Sequence, residues 1–103
     1  MMEGRPIKFR LLEIFADKGH LWNHEVIELM AGEYKDRRSK YGHQATNWDL
    51  IELAASGFIK ETDASIDEKG EYGKGNLLLQ YGLTAVGRDE LERLKTVIKP
   101  RGE

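Results

Sequence analysis

The residues best suited to chemistry lie between positions 33 and 47. There Lys35, Arg37, Arg38 and Lys40 stand against Glu33 and Asp36, and His43, Gln44, Thr46 and Asn47 follow. No other segment joins a local charge of +2 to side chains that both donate and accept hydrogen bonds. Lys and Arg on phosphate oxygens supply the sequence-independent part of nucleic-acid affinity, while polar side chains reaching base edges supply discrimination. Gln44 and Asn47 suit bidentate pairing with adenine, and Thr46 suits a phosphate or a thymine methyl. The same residues also suit a plainer role, a solvated basic loop in which Thr46 or Asn47 caps the helix that follows. Tyr34 and Tyr41, interleaved with the basic residues, suit stacking on sugars or bases, or packing inside a hinge.

Other chemistries find no comparable cluster. The absence of Cys excludes thiolate zinc sites, disulfide frameworks and Cys nucleophiles together. His20 and His24 are four apart, but Gly19 and Asn23 predict a helix break between them, and His24-Glu25 lacks the second His of a metalloprotease helix. Ser39, Ser56 and Ser65 lie in no nucleophile-elbow pattern. Gly70, Gly73 and Gly75 read as turn residues of a hairpin tip, not as a phosphate cradle opening a helix. The expectation is therefore a non-enzymatic chain with no catalytic residues, no metal and no cofactor.

Around the basic segment the elements are read from apolar spacing. Ile7, Leu11, Ile14 and Phe15 make one helical stripe, with Pro6 in its first turn and Gly19 at its end. A second helix begins at Asn23 as N-cap, carries Val26, Ile27 and Met30, and weakens or ends at Gly32. The polar stretch after it is partly loop, about a dozen residues long. A third helix starts near Thr46 or Asn47 and stops at Gly57, with either Leu50, Leu53 and Ala54 or Trp48, Ile51 and Ala55 as its apolar stripe. Ser56-Gly57-Phe58 has the form of a left-handed helix exit followed by an apolar residue that folds back. Residues 58–62 and 76–83 read as two strands of a hairpin, the second alternating Leu77, Leu79, Tyr81 and Leu83, joined by a charged, Gly-rich loop at 63–75. Thr84 caps a last helix carrying Val86, Leu91, Leu94 and Ile98. Trp22 and Trp48, each beside an apolar stripe, are expected in the core.

Two stretches carry a family resemblance. Leu50-Ile51-Glu52-Leu53-Ala54-Ala55-Ser56-Gly57-Phe58-Ile59-Lys60 and Tyr81-Gly82-Leu83-Thr84-Ala85-Val86-Gly87-Arg88-Asp89-Glu90-Leu91 resemble the winged helix-turn-helix transcription regulators of bacteria and archaea. The resemblance implies an α+β winged helix-turn-helix fold of three helices, a two-stranded hairpin wing and a C-terminal helix. It spans about 7–98 of a single domain, 1–103, with flexible termini. It also implies a partner, double-stranded DNA, read by the exposed first half of the third helix with His43, Gln44, Thr46 and Asn47. Lys35, Arg37, Arg38 and Lys40 would then anchor backbone phosphates, and Lys69 and Lys74 would lie on the wing. Mechanism adds a homodimer through the C-terminal helix, because two-fold pairing raises specificity, although Leu91, Leu94 and Ile98 serve equally well to close a monomer core.

Charge and length bound these expectations. The 103 residues hold 16 Lys and Arg against 18 Asp and Glu, a formal charge of −2 and room for one domain. The wing itself sums to −2, with Lys60, Lys69 and Lys74 against Glu61, Asp63, Asp67, Glu68 and Glu71, which argues against its insertion into a minor groove. This acidity supports an alternative function, a winged helix used as a protein-interaction module without DNA contact. The longest apolar run, Leu77-Leu78-Leu79, is far short of the roughly 20 residues a spanning helix requires. No secretory leader is recognisable, so the expected location is cytoplasmic, away from membranes.

Overall fold

The computed structural model describes residues 6–70, 75 and 77–97. Helix α1 (Ile7–Lys18) follows Pro6, whose missing N–H has no helical partner in a first turn. It buries Phe9, Leu11, Leu12, Ile14 and Phe15 and ends at Gly19, whose φ of +84° is the left-handed conformation that glycine takes without a Cβ clash. Strand β1 (Leu21–Trp22) leads straight into α2 (Asn23–Glu33). The N-cap of α2 is Trp22, one residue earlier than the spacing suggests, and Glu25 Oε1 accepts from the Trp22 N–H at 2.9 Å. Asn23 instead ties the start of α2 to the sheet, since its Oδ1 accepts from the N–H of His24 and, at 3.4 Å, from that of Leu79.

Helix α3 (Lys40–Ala55) begins six positions before the expected Thr46, after a 3-10 turn at Lys35–Arg37. Ser39 caps it by accepting from the Gly42 N–H at 3.0 Å. The connection from α2 is thus residues 34–39, about half the length expected. The buried stripe of α3 is Gly42, Thr46, Leu50 and Leu53, and of the two stripes open to the sequence the Leu50 and Leu53 choice is the one that faces the core. Gly42 is buried because the 3-10 turn crosses it so closely that a Cβ would stand 2.2 Å from the Asp36 carbonyl oxygen. At the other end the Phe58 N–H donates to the Leu53 carbonyl and the Gly57 N–H to that of Ala54, both at 3.0 Å, with Gly57 at φ +82°. This is the fold-back exit expected from Ser56-Gly57-Phe58.

The sheet is antiparallel and has three strands in the order β1-β3-β2, where two were expected. β2 (Ile59–Ile66) and β3 (Leu77–Leu83) form the hairpin, and Leu21 and Trp22 add the third strand opposite Tyr81 and Gln80. β2 runs four residues past the expected Thr62, with a register shift between Glu61 and Asp63 that lets Ala64 and Ile66 continue opposite Leu79 and Leu77. Asp67 closes its end, accepting from the Gly70 N–H through Oδ1 and from the Gly75 N–H through its carbonyl.

Helix α4 (Ala85–Val97) is locked onto the exit of α3. Thr84 donates its backbone N–H to the Phe58 carbonyl, its hydroxyl lies 2.6 Å from the Gly57 oxygen, and the same hydroxyl accepts from the Gly87 N–H. Gly87 must be glycine, since a Cβ there would stand 1.9 Å from the Phe58 oxygen. The two stretches that carry the family resemblance are therefore two halves of one contact. Leu91 is buried in the common core with Phe9, Phe15, Met30, Leu50, Ile59 and Tyr81, and Leu94 packs against that core. Both leucines thus serve the single chain; Ile98 lies outside the described residues. Among the described residues the fold is α+β, with four α-helices and a three-stranded sheet around one core.

Candidate nucleic-acid interface

Because α3 buries positions 42, 46, 50 and 53, the 3.6-residue period turns a second set outward. Lys40, His43, Gln44, Asn47, Trp48 and Ile51 follow at i, i+3, i+4, i+7, i+8 and i+11, on one outward face. Lys40, His43 and Gln44 are exposed and Asn47 is half-buried. The face bears no carboxylate. The two acids of α3 are held elsewhere: Glu52 pairs with Lys8 of α1 at 2.6 Å, and Asp49 faces the 3-10 turn. The Glu52 hydrogen bond holds the Lys8 ammonium above its ordinary pKa.

Two members of the expected site are removed by these contacts. Arg37 Nη1 donates to Asp49 Oδ2 at 2.9 Å and to Thr46 Oγ1 at 3.3 Å. The Arg37 and Asp49 side chains are only 13% and 18% exposed, so Arg37 ties the turn to α3 and is turned away from the solvent a phosphate anchor would face. Thr46 is fully buried; its hydroxyl donates to the Gly42 carbonyl one turn earlier, so it neither caps a helix nor reaches a base. Arg38, Lys35 and Lys40 stay exposed at the start of α3, with Arg38 Nε donating to the Ala31 carbonyl at 2.9 Å. Helix α3 also points its positive dipole end toward this group of cations. Lys69 is exposed beside the Asp67 turn, and Lys74 lies outside the described residues.

The aromatic residues divide differently from expectation. Trp48 is 63% exposed and Tyr41 is 81% exposed, whereas Tyr34 is buried in the core and Trp22 is half-buried with its ring stacked near His24. Trp48 left the core because Leu50 and Leu53 took the inward stripe. Together with Asn47, Ile51, Ile27 and Leu77 it lines a groove of about 850 Å³ between α2, α3 and the start of β3. His24, Glu28 and His43 stand on the rim, yet no group of three or more His, Asp or Glu among the described residues is placed to hold a metal ion.

No family model, curated protein or solved structure matches the chain. Among the described residues no helix is long and apolar enough to cross a membrane.

Proposed function

We propose that the chain is a winged-helix DNA-binding protein, a transcriptional regulator that lays the outward face of α3 in the major groove of duplex DNA. The observation that carries this reading is the carboxylate-free face of α3, on which Lys40, His43, Gln44 and Asn47 are consecutive neighbours. Lys35, Arg38 and Lys40 anchor phosphates at the start of the helix, and Gln44 and Asn47 read base edges. The hairpin of β2 and β3 serves as the wing. Its acidic residues keep it from gripping phosphate and leave affinity concentrated on α3.

The test is a salt titration of duplex binding by the full chain, starting near 50 mM, where phosphate contacts are strong. Removing one phosphate contact lowers the slope of log affinity against log salt by about 0.9, so Arg38→Ala with Lys40→Ala is expected to lower it by nearly two. If no duplex binds at about 50 mM salt, the proposal falls. A protein-interaction module then takes its place, a second reading favoured by the exposed apolar side chains of Trp48, Ile66 and Leu77.

A further inference from the structure

The outward face of α3 changes character along its length. Gln44 is followed one turn later by Trp48, and Asn47 one turn later by Ile51, so each carboxamide has an apolar side chain as its i+4 neighbour. Trp48 is 63% exposed and Ile51 is 41% exposed, and with Ile27 and Leu77 they line one contiguous groove beside the two carboxamides. The major groove offers one apolar group, the C5 methyl of thymine. It sits across the base pair from adenine N6 and N7, the atoms that a carboxamide pairs with bidentately. A helix rises about 6 Å over four residues, somewhat under two base-pair steps, so an amide and its i+4 neighbour can reach the same or adjacent pairs. Of guanine's usual readers the face carries no Arg, since Arg37 is bound to Asp49 and Arg38 precedes the helix cap and donates to Ala31, and its one Lys, Lys40, lies in the first turn with the phosphate anchors, a full turn before Gln44.

We infer that the α3 face selects A·T pairs in the major groove, with Gln44 and Asn47 on adenine and Trp48, supported by Ile51, against thymine methyl groups. This inference rests on the DNA-binding reading and narrows its target class to duplexes bearing 5-methyl pyrimidines beside adenine. Electrostatic anchoring by Lys35, Arg38 and Lys40 is blind to this choice, so the methyl contact and the phosphate contact are separable by experiment.

The experiment measures binding of the full chain to four duplexes of equal length: A·T-rich, the same with uracil in place of thymine, G·C-rich, and the last with 5-methylcytosine. Replacing thymine by uracil is expected to weaken binding about fourfold for each contacted methyl, the effect of exposing one buried methyl-sized group. Trp48→Ala with Ile51→Ala, both at exposed positions, is expected to abolish the difference between thymine and uracil while leaving unchanged the salt slope set by Lys35, Arg38 and Lys40. In a Trp22→Phe background, Trp48 fluorescence is expected to respond more to the thymine duplex than to the uracil one. Equal affinity for thymine and uracil duplexes, or discrimination that survives the loss of both Trp48 and Ile51, overturns the inference while salt-dependent binding still upholds the DNA reading. Absence of binding to all four duplexes overturns both.

Discussion

Replacing Arg37 with Ala separates a structural arginine from a DNA-binding one. The substitution removes a charge-assisted hydrogen bond of 2.9 Å to Asp49, together with a weaker one of 3.3 Å to Thr46. A hydrogen bond to a charged group contributes about 1.5–3 kcal/mol, and both bonds leave the charged guanidinium, the longer one at 3.3 Å counting for less. The pair is 13% and 18% exposed, so water offsets part of the cost around Asp49 and the net destabilisation is about 2 kcal/mol. For a domain of this size that lowers Tm by about 8–16 °C. Asp49→Ala should cost a similar amount, and the double variant should cost less than the sum, with a coupling of about 1–2 kcal/mol. Thermal melting of the four proteins gives the cycle, and duplex binding well below the lowest Tm gives the functional arm. Arg37→Ala is expected to keep the wild-type salt slope, whereas Arg38→Ala lowers it. A Tm within about 2 °C of wild type, with a slope reduced as in Arg38→Ala, refutes the assignment of Arg37 to the fold.

Further outcomes follow from the glycines and from one tyrosine. Gly87→Ala places a Cβ 1.9 Å from the Phe58 carbonyl oxygen, where only backbone displacement relieves it, and is expected to cost more than about 2 kcal/mol in a denaturant melt. Gly32→Ala meets nothing within 4 Å in the last turn of α2 and is expected to stabilise by about 0.5–1 kcal/mol in the same assay. Burial, followed by the nearby Glu61 carboxylate, raises the Tyr81 phenol above its ordinary pKa of 10.0. A folded-state pKa above the unfolded one means that this contribution is complete below pH 10 and is lost as pH rises through the folded value. Stability should accordingly fall in alkali less steeply in Tyr81→Phe than in the wild type, with phenolate absorbance reporting the titration.

How much of this was legible in the sequence depended on whether a feature was local. The first helix was, because Pro6, the 7, 11, 14, 15 stripe and Gly19 lie within a few turns of one another. So was the α3 exit, since the hydrogen bonds of a fold-back cap join residues no more than five apart. The start of α3 was not legible: Lys40, Tyr41 and Gly42 show no apolar period, and Gly42 is buried only because the 3-10 turn lies across it. Strand β1 is two residues long and owes its existence to Gln80 and Tyr81, far away in the chain. The candidate site divided along the same line. Exposure of Lys35, Arg38, Lys40, His43 and Gln44 followed from the polar stretch itself. The withdrawal of Arg37 and Thr46 depended on where Asp49 comes round the helix, and the choice between the Leu50 and Trp48 stripes was made by packing against α2, the 3-10 turn and β2.

The bonding between Thr84, Gly87 and the Gly57-Phe58 carbonyls has a consequence for how the chain can vary. It fastens the two ends of the β2–β3 hairpin to each other at its base, so the hairpin is a closed loop whose closure does not depend on its own length or composition. Doubling such a loop adds only about 0.6 kcal/mol of closure cost. Ile59, Tyr81 and the pairing with β1 hold the base of the hairpin in the body, so it is the outer part of the hairpin that can differ in reach and charge. The acidic hairpin of this chain is one setting of a part that can be reset without rebuilding α3.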